Sequence, residues 1–341
     1  MEPLVSILIP AHNAEQFIGD SIKSAMSQTW RRKEVIVIDD GSTDATLRVA
    51  EQFASSSVSV VHQENQGAAA ARNHALSVCQ GDYIQWLDAD DLLSVDKINQ
   101  QMTVIQREKD PHKLASSAWG YFRHRPWKAK FTPSVLWHDL GPIEWIHRKW
   151  TSANHMQTAT WLVSRELSDA AGPWDTRLRF DDDGEYFTRV VLRSRGVRFV
   201  PDGKVYYRVS PSTRLSYVGT SNAKIDGHFL SMELQIGYLR SVCDDERTRE
   251  ACTRFLETWM HHFYPTRPDI VERAQTLANT WGAQLQMPRL PMKYEWLRLL
   301  FGETATKVLK ERYNQAKSEV LLKCDYLLLQ AQGGRIDVSS L

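Results

Sequence analysis

The first ninety residues alternate between short apolar runs and helical segments, and this alternation limits the possible fold more than any other feature of the chain. The apolar runs lie at residues 5–10, 34–38, 58–62 and 83–87. Each has the length of a buried strand, and helical patterns or an alanine-rich tract separate them. We therefore predict an α/β fold with a mostly parallel central sheet covered by helices on both faces. In such a sheet, ligands bind at the carboxyl ends of the strands.

The composition is that of a globular protein. The chain has 341 residues, 42% of them hydrophobic and 24% charged, which is enough for a sizeable core and two domains. A net charge of +1 without a Lys/Arg-rich block argues against a nucleic-acid partner. Four cysteines without paired spacing favour a reducing compartment and no structural zinc. Without a signal peptide or about 18 consecutive apolar residues, we expect a cytoplasmic protein, either soluble or peripheral at the inner face of the membrane.

Carboxylates cluster directly after the fourth apolar run. Asp88, Asp90 and Asp91 follow residues 83–87 and should lie at the carboxyl end of a strand. Closely spaced carboxylates repel one another unless a cation neutralises them, and such oxygen ligands suit Mg²⁺ or Mn²⁺. The chain has neither a G-x-G-x-x-G nor a G-x-x-x-x-G-K-[ST] motif. A metal, instead of a glycine-rich loop, would therefore neutralise the phosphates of a bound nucleotide.

Four sequence blocks in this region resemble a known family. The blocks are VSILIPAHN, VIVIDDGSTD, NQGAAAARNHAL and GDYIQWLDADDLL. In this order and spacing they resemble the nucleotide-sugar domain of the large inverting "family 2" glycosyltransferases, which have the GT-A fold. The resemblance implies a catalytic domain at residues 1–220, with a nucleotide-binding half at 1–100 and an acceptor-binding half at 101–220. A mainly helical region would follow at residues 221–341.

The resemblance also implies which residues bind the nucleotide-sugar donor. They are Pro10, Ala11, His12, Asn13, Asp39, Asp40, Arg72, Asp88, Ala89 and Asp90. Asp40 would accept a hydrogen bond from the nucleobase, with Asp39 beside it. His12 stands where the family often has an aromatic residue, and it would stack on the base. Arg72 would reach the nucleotide from a helix start, because a guanidinium matches phosphate or base geometry.

The same resemblance implies the metal ligands and the base. Asp90 would bind the metal directly, while Asp88 would lie nearer the ribose and the metal's waters. Asp183 aligns with the catalytic aspartate that takes the proton of the acceptor hydroxyl, although the neighbouring Asp182 is also a candidate. The family often has a histidine after a Tyr-Arg pair, but residues 210–214 here read SPSTR. We therefore expect Arg208 or Arg214 to neutralise the diphosphate.

The expected activity is transfer of one sugar from a nucleotide-diphosphate sugar, with a UDP-sugar as the expected donor, and with inversion at the anomeric carbon. The acceptor would be a glycan or lipid-linked hydroxyl in cell-surface polysaccharide biosynthesis. One or two of the aromatic residues between 110 and 150 would line the acceptor groove. Residues 294–301 and the lysines after them predict either a membrane-contacting surface or a face that packs on the catalytic domain or a second copy.

Two other functions are compatible with an α/β sheet that carries an acidic cluster. A sugar nucleotidyltransferase would need a glycine- and arginine-rich loop after the first strand, and residues 10–13 read PAHN. A non-catalytic binding or assembly module with the same fold remains the alternative. It would bind nucleotide without transferring a sugar or hydrolysing the donor.

Overall fold

A computed structural model describes residues 2–209, 221–288 and 295–341. Its first half alternates strands and helices as predicted. The elements are β1 (Val5–Ala11), α1 (Ile18–Met26), β2 (Lys33–Asp40), α2 (Thr46–Glu51), β3 (Val58–Gln63), α3 (Ala68–Val78) and β4 (Tyr83–Trp86). The four strands are parallel and lie in the order β3-β2-β1-β4. This order brings the loops after β1, β2 and β4 to one edge of the sheet.

The second half extends the same sheet with mixed strand directions. Its elements are β5 (Leu92–Leu93), α4 (Lys97–Glu108), β6 (Leu114–Phe122), β7 (Lys130–Phe131), α5 (Pro142–Thr151), β8 (Leu162–Ser164), α6 (Arg165–Ala171), α7 (Asp182–Arg193) and β9 (Val197–Arg208). The sheet continues from β4 in the order β8-β6-β9-β5. Strand β8 is antiparallel to β4 and β6, whereas β6 and β9 are parallel. The predicted α/β class is confirmed, but the sheet is wholly parallel only in its first half.

One strand is longer than its sequence pattern suggests. Residues 197–201 and 205–209 each read as a strand, with Asp202 and Gly203, residue types typical of turns, between them. The structure has the single strand β9 instead. Its register against β6 pairs Val200 with Ser117 and Val205 with Trp119, so residues 201–204 lie opposite Ala118 alone. The extra residues are accommodated as an irregular bulge within the strand.

Helices dominate from residue 222 onward, as predicted. They are α8 (Asn222–Val242), α9 (Glu246–Phe263), α10 (Pro268–Asn279) and α11 (Glu295–Ala331), the last kinked at Gly302. None of the helices in the described ranges is both long and apolar enough to cross a bilayer.

The two faces of the sheet build two apolar cores. Successive residues of a strand point to opposite faces. On one face, Ile7 of β1 and Val37 of β2 pack with α1 and α4. On the other face, Leu8 and Ile36 belong to a core that also contains α5, α7, α8 and α9. The helical region therefore shares its core with the sheet, and α8 packs directly against α7.

Candidate donor and acceptor site

Arg72 on α3 joins the acidic loop after β4 to the start of α7. Its Nη2 donates a hydrogen bond to Asp88 Oδ1 at 3.1 Å, and its Nη1 donates to Asp182 Oδ2 at 2.5 Å. The guanidinium also lies 4.5 Å from the centre of the Trp174 ring. The Arg72 side chain is only 8% exposed. It is therefore an internal bridge between two acidic segments.

The charges around this bridge shift its titration. Burial favours the neutral form of Arg72, but Asp182 and Asp88 outweigh it and raise the pKa of the guanidinium. Burial raises the pKa of Asp88, where Arg72 opposes the shift and Asp90 and Asp183 add to it. Burial likewise raises the pKa of Asp182. The site thus concentrates more carboxylates than Arg72 alone can balance.

Asp91 supports the acidic loop from beneath. Its side chain is fully buried, with Oδ1 accepting from the Arg208 backbone N–H at 2.8 Å and Oδ2 accepting from Gln157 Nε2 at 2.5 Å. The Arg208 guanidinium donates to the backbone carbonyl of Asp90 at 2.7 Å and lies against the Phe17 and Phe122 rings. Arg208 was expected to meet the diphosphate. At 2% exposure, its side chain lies under the loop and holds the backbone instead. Arg214 lies outside the described residues.

Residues 155–158 connect the acidic loop with the start of α7. Gln157 Nε2 lies 3.4 Å from Asp88 Oδ2, in addition to its bond with Asp91. The next residue, Thr158, donates from Oγ1 to Asp183 Oδ2 at 3.2 Å. Two adjacent residues therefore contact the expected metal-binding loop and the expected base, so both lie against one short segment.

The start of α7 is held by the helical region. Asp181, the residue before the helix, has a left-handed conformation with φ of 57°. Its Oδ2 accepts from Ser231 Oγ and Gln235 Nε2 on α8, both at 2.8 Å. Burial raises the pKa of Asp181 to about 7, although Lys149 opposes the shift. A Cβ at position 184 would overlap the Asp181 carboxylate, so the turn requires Gly184.

The loop after β2 is anchored by Asp40. Its Oδ1 accepts from Gln63 Nε2 at 2.7 Å and the Gln66 backbone N–H at 2.9 Å, and its Oδ2 accepts from the Gly67 N–H at 2.9 Å. These bonds fix the segment that leads into α3. Within the described residues, Asp40 Oδ2 accepts this one hydrogen bond, whereas a carboxylate oxygen has capacity for two.

Asp39 is fully buried beside it. Its Oδ2 lies 2.8 Å from His62 Nδ1 and accepts from the Ser42 backbone N–H at 3.3 Å. Its Oδ1 is buried and has no hydrogen-bond partner among the described residues. An unsatisfied buried acceptor is costly, so this oxygen would gain from a ligand donor.

The loop after β1 lies against the loop after β2. His12 Nδ1 is 2.8 Å from the Asp40 carbonyl, and the exposed Asn13 accepts from the Thr43 backbone N–H at 2.8 Å. Pro10 and Ala11 end β1 in register with Ile38 and Asp39 of β2. Ala89 follows β4, and its carbonyl accepts from Ser21 Oγ at 2.9 Å. The structure thus brings the expected donor-binding residues to one edge of the sheet.

Asp88 and Asp90 fit a binding site for a divalent cation whose remaining ligands come from water and the substrate. Among the described residues, no group of three or more His, Cys, Asp or Glu side chains forms a ready-made metal site. Mg²⁺ in nucleotide enzymes commonly takes one or two carboxylates, with waters and substrate phosphates as the other ligands. The two hard oxygen donors match that chemistry. Burial raises the pKa of Asp88, and the neighbouring charges of Asp90 and Asp183, which a cation would offset, add to the shift.

Comparisons with known proteins identify the class. A family model described as Glycosyl transferase family 2 matches residues 6–168. Glycosyltransferase GlyG of Streptococcus pneumoniae serotype 4 is 33% identical over 221 residues, covering 61% of this chain and 71% of GlyG. The chain therefore belongs to glycosyltransferase family 2.

Two other relatives match this chain over a smaller share of their own length. The uncharacterized glycosyltransferase EpsJ of Bacillus subtilis is 28% identical over 62% of this chain and 63% of EpsJ. The putative teichuronic acid biosynthesis glycosyltransferase TuaG of the same organism is 40% identical over 30% of this chain and 41% of TuaG. The chain thus spans less than two thirds of these two relatives.

A solved structure confirms the fold. Staphylococcus aureus TarS 1-349 in complex with UDP-GlcNAc superimposes with a TM-score of 0.61 at 18% identity, covering 78% of this chain and 74% of that one. The predicted GT-A fold is therefore confirmed.

Several residues of the site were not predicted from the sequence. Thr158 and Gln157 lie in a segment without a recognisable motif, and Ser231 and Gln235 come from a helix that had no assigned role. Only the tertiary packing of α8 against α7 brings the last two to Asp181. The sequence signal for these contacts was the acidic cluster at residues 181–183, because closely spaced carboxylates need hydrogen-bond donors from another segment.

Proposed function

We propose that this protein is an inverting, metal-dependent glycosyltransferase that moves one sugar from a UDP-sugar to a hydroxyl of a glycan or lipid-linked acceptor. The relative TuaG, a putative teichuronic acid biosynthesis glycosyltransferase, supports a role in cell-surface polysaccharide synthesis. The UDP-GlcNAc complex of TarS, which has the same fold, supports a UDP-sugar donor.

One observation carries the proposal. Arg72 binds both Asp88 and Asp182, while Gln157 and Thr158 contact Asp88 and Asp183. The expected donor-side and acceptor-side carboxylates are therefore tied into a single site. A binding module would not need a second acidic segment beside the first.

The donor would bind across the loops after β1, β2 and β4. The remaining acceptor capacity of Asp40 Oδ2 suits a nucleobase that carries a ring N–H, as uracil does, with the buried Asp39 beside it. His12 and Asn13 are exposed above this edge, where His12 would face the base. A bound Mn²⁺ or Mg²⁺ would be held by Asp90 and Asp88 and would neutralise charge on the departing diphosphate.

Asp183 is proposed as the base, with Asp182 fixed by Arg72 in a supporting position. Thr158 orients the Asp183 carboxylate through its hydroxyl. As the acceptor oxygen bonds to the anomeric carbon, its proton passes to Asp183 and the bond from that carbon to the diphosphate oxygen breaks. Attack and departure occur on opposite faces of the sugar, which inverts the anomeric centre. Positioning and fixed charges supply most of the acceleration.

Residues 1–220 are proposed as the catalytic domain, with the donor half at 1–100 and the acceptor half at 101–220. Residues 221–341 would brace it. We further propose that the enzyme works in the cytoplasm, at the inner face of the membrane. Leu299, Leu300 and Phe301 on α11 support this, because they are 74%, 69% and 59% exposed. The same face would alternatively join a second copy.

The experiment that tests this function is a thermal-shift screen of nucleotide sugars with and without Mn²⁺. We expect UDP-sugars to stabilise the wild type only with metal, and Asp90→Ala to lose that effect. Asp202→Ala, which removes an exposed carboxylate from β9, is the matched control and should behave as wild type. If no nucleotide stabilised the wild type, the donor site would be wrongly assigned.

A further inference from the structure

Four aromatic side chains form a patch on β6, β9 and the segment before the predicted base. They are Trp119, Tyr121, His155 and Tyr207, and we call them the aromatic patch. The Trp119 ring centre lies 4.9 Å from that of Tyr121 and 4.8 Å from that of His155. Tyr121 is in turn 5.4 Å from Tyr207, its register partner across the two strands. The four rings therefore form one continuous surface.

This patch lies next to the expected base. His155 is three residues before Thr158, whose hydroxyl donates to Asp183. Asp183 is close enough to act on the titration of His155, although desolvation has the larger effect and lowers the pKa of that imidazole. The segment that carries His155 also contacts the metal-binding loop through Gln157. A ring bound on the patch would thus have its hydroxyl groups near Asp183.

The patch differs from the buried tryptophans of this region. Trp145, Trp150 and Trp161 are at most 2% exposed and pack in the core. Tyr121, in contrast, is 43% exposed, and its hydroxyl lies 3.5 Å from His155 Nε2. The patch thus combines apolar ring faces with polar groups at their edges.

That combination matches the chemistry of a sugar ring. A pyranose has apolar C–H faces that pack on aromatic rings, and hydroxyls around its edge that form hydrogen bonds. A phosphate would instead require cations. The patch itself contains no lysine or arginine, and the lowered pKa of His155 favours its neutral form near pH 7. The charge of Lys149 contributes to lowering the pKa of His155, and Lys149 also interacts with the carboxylates of Asp181 and Asp183.

We propose that the aromatic patch binds the terminal sugar ring of a glycan acceptor and presents one of its hydroxyls to Asp183. This inference rests on the proposed function, because it assigns the acceptor side of the same site. It selects a carbohydrate acceptor over a bare lipid phosphate. It also identifies Tyr121 as a residue that binds the acceptor without contributing to the donor side.

The test uses the full chain and saturation-transfer NMR with methyl glycosides of glucose, galactose and N-acetylglucosamine, in the presence of UDP and Mn²⁺. We expect at least one glycoside to bind the wild type through its ring protons. Tyr121→Ala should weaken that binding about two- to tenfold, the range expected for losing one aromatic contact. Tyr121→Phe should keep most of it. Tyr313→Ala removes a 63% exposed aromatic ring from α11 and is the control.

The stabilisation by UDP is measured on the same samples, so that the two proposals can fail separately. If UDP binds but no glycoside does, or if Tyr121→Ala binds as tightly as the wild type, the patch is not the acceptor site while the donor site stands. If a glycoside binds and UDP does not, the patch binds sugar but its role as an acceptor site is refuted. If neither binds, both proposals are refuted.

Discussion

Replacing Arg72 with methionine should destabilise the protein strongly, because it leaves two carboxylates facing each other without their shared cation. Methionine keeps much of the volume over Trp174 and removes only the charge and the hydrogen bonds. Asp88 and Asp182 are 29% and 17% exposed, so water would rehydrate them in part. Breaking a buried ion pair costs about 3–5 kcal/mol, and this partial exposure places the expected loss near the lower end, about 3 kcal/mol.

The loss should also depend on pH. The pKa values of Asp88 and Asp182 are already raised from 3.8 in the folded protein, and removing Arg72 would raise them further. A carboxyl group whose folded pKa is raised destabilises the fold above that pKa, and the penalty disappears as the pH falls toward the unfolded value. We therefore expect Arg72→Met to lose more stability at pH 8 than at pH 5.

The assay is urea unfolding of both proteins at the two pH values. Arg177→Met is the control, because Arg177 also pairs with an aspartate but is 65% exposed, so solvent screens the pair and its loss should cost much less stability. Asp182→Asn in the Arg72→Met background should recover part of the lost stability. A cost no larger than that of Arg177→Met, or one independent of pH, would refute the idea that Arg72 balances a buried acidic site.

Three further predictions concern α7 and α11. Asp181→Asn should be more stable than the wild type at pH 8, because the raised pKa of about 7 makes the ionised form of Asp181 unfavourable in the folded protein. This advantage should disappear as the pH falls from 7 toward 4. Thermal unfolding across this range measures the difference in stability, and a difference that did not change with pH would contradict the prediction. Gly184→Ala should destabilise the protein by about 1–3 kcal/mol in urea unfolding, since the new methyl group meets the Asp181 carboxylate. Gly237→Ala on α8 is the control, because a Cβ there meets nothing within 4 Å. Equal stabilities of the two variants would count against the predicted clash. Leu300→Glu should reduce binding to anionic vesicles in a flotation assay. Val242→Glu, at a 58% exposed position on α8, is the control. If Leu300→Glu floated with the vesicles as the wild type does, the α11 surface would be excluded as the membrane contact.

The donor half of the fold could be predicted because its signals are local. A buried strand followed within a few residues by a polar loop fixes both the strand and the position of the loop at the sheet edge. Asp39 and Asp40 end β2, and Asp88 and Asp90 follow β4. Their places in the structure therefore agree with the sequence pattern.

The rest depends on contacts between distant segments. Arg72 and Asp182 are 110 residues apart, and nothing in either segment indicates the other. Residues 202–203 are of types typical of turns, but pairing with β6 keeps the chain extended. Arg208 or Arg214 was expected at the diphosphate because the family's histidine is missing after Tyr207-Arg208, but two aromatic rings and a backbone carbonyl hold Arg208 in the interior.

The most direct test of the central claim is release of UDP from a panel of UDP-sugars, with Mn²⁺ and the methyl glycosides as acceptors, by the wild type and by Asp183→Asn. The account predicts that the wild type consumes one UDP-sugar in a metal-dependent way. Asp183→Asn should bind the same donor yet release UDP at least about a hundredfold more slowly, as expected for loss of a general base. Donor binding by the wild type without any release of UDP would contradict the account and favour a non-catalytic binding module.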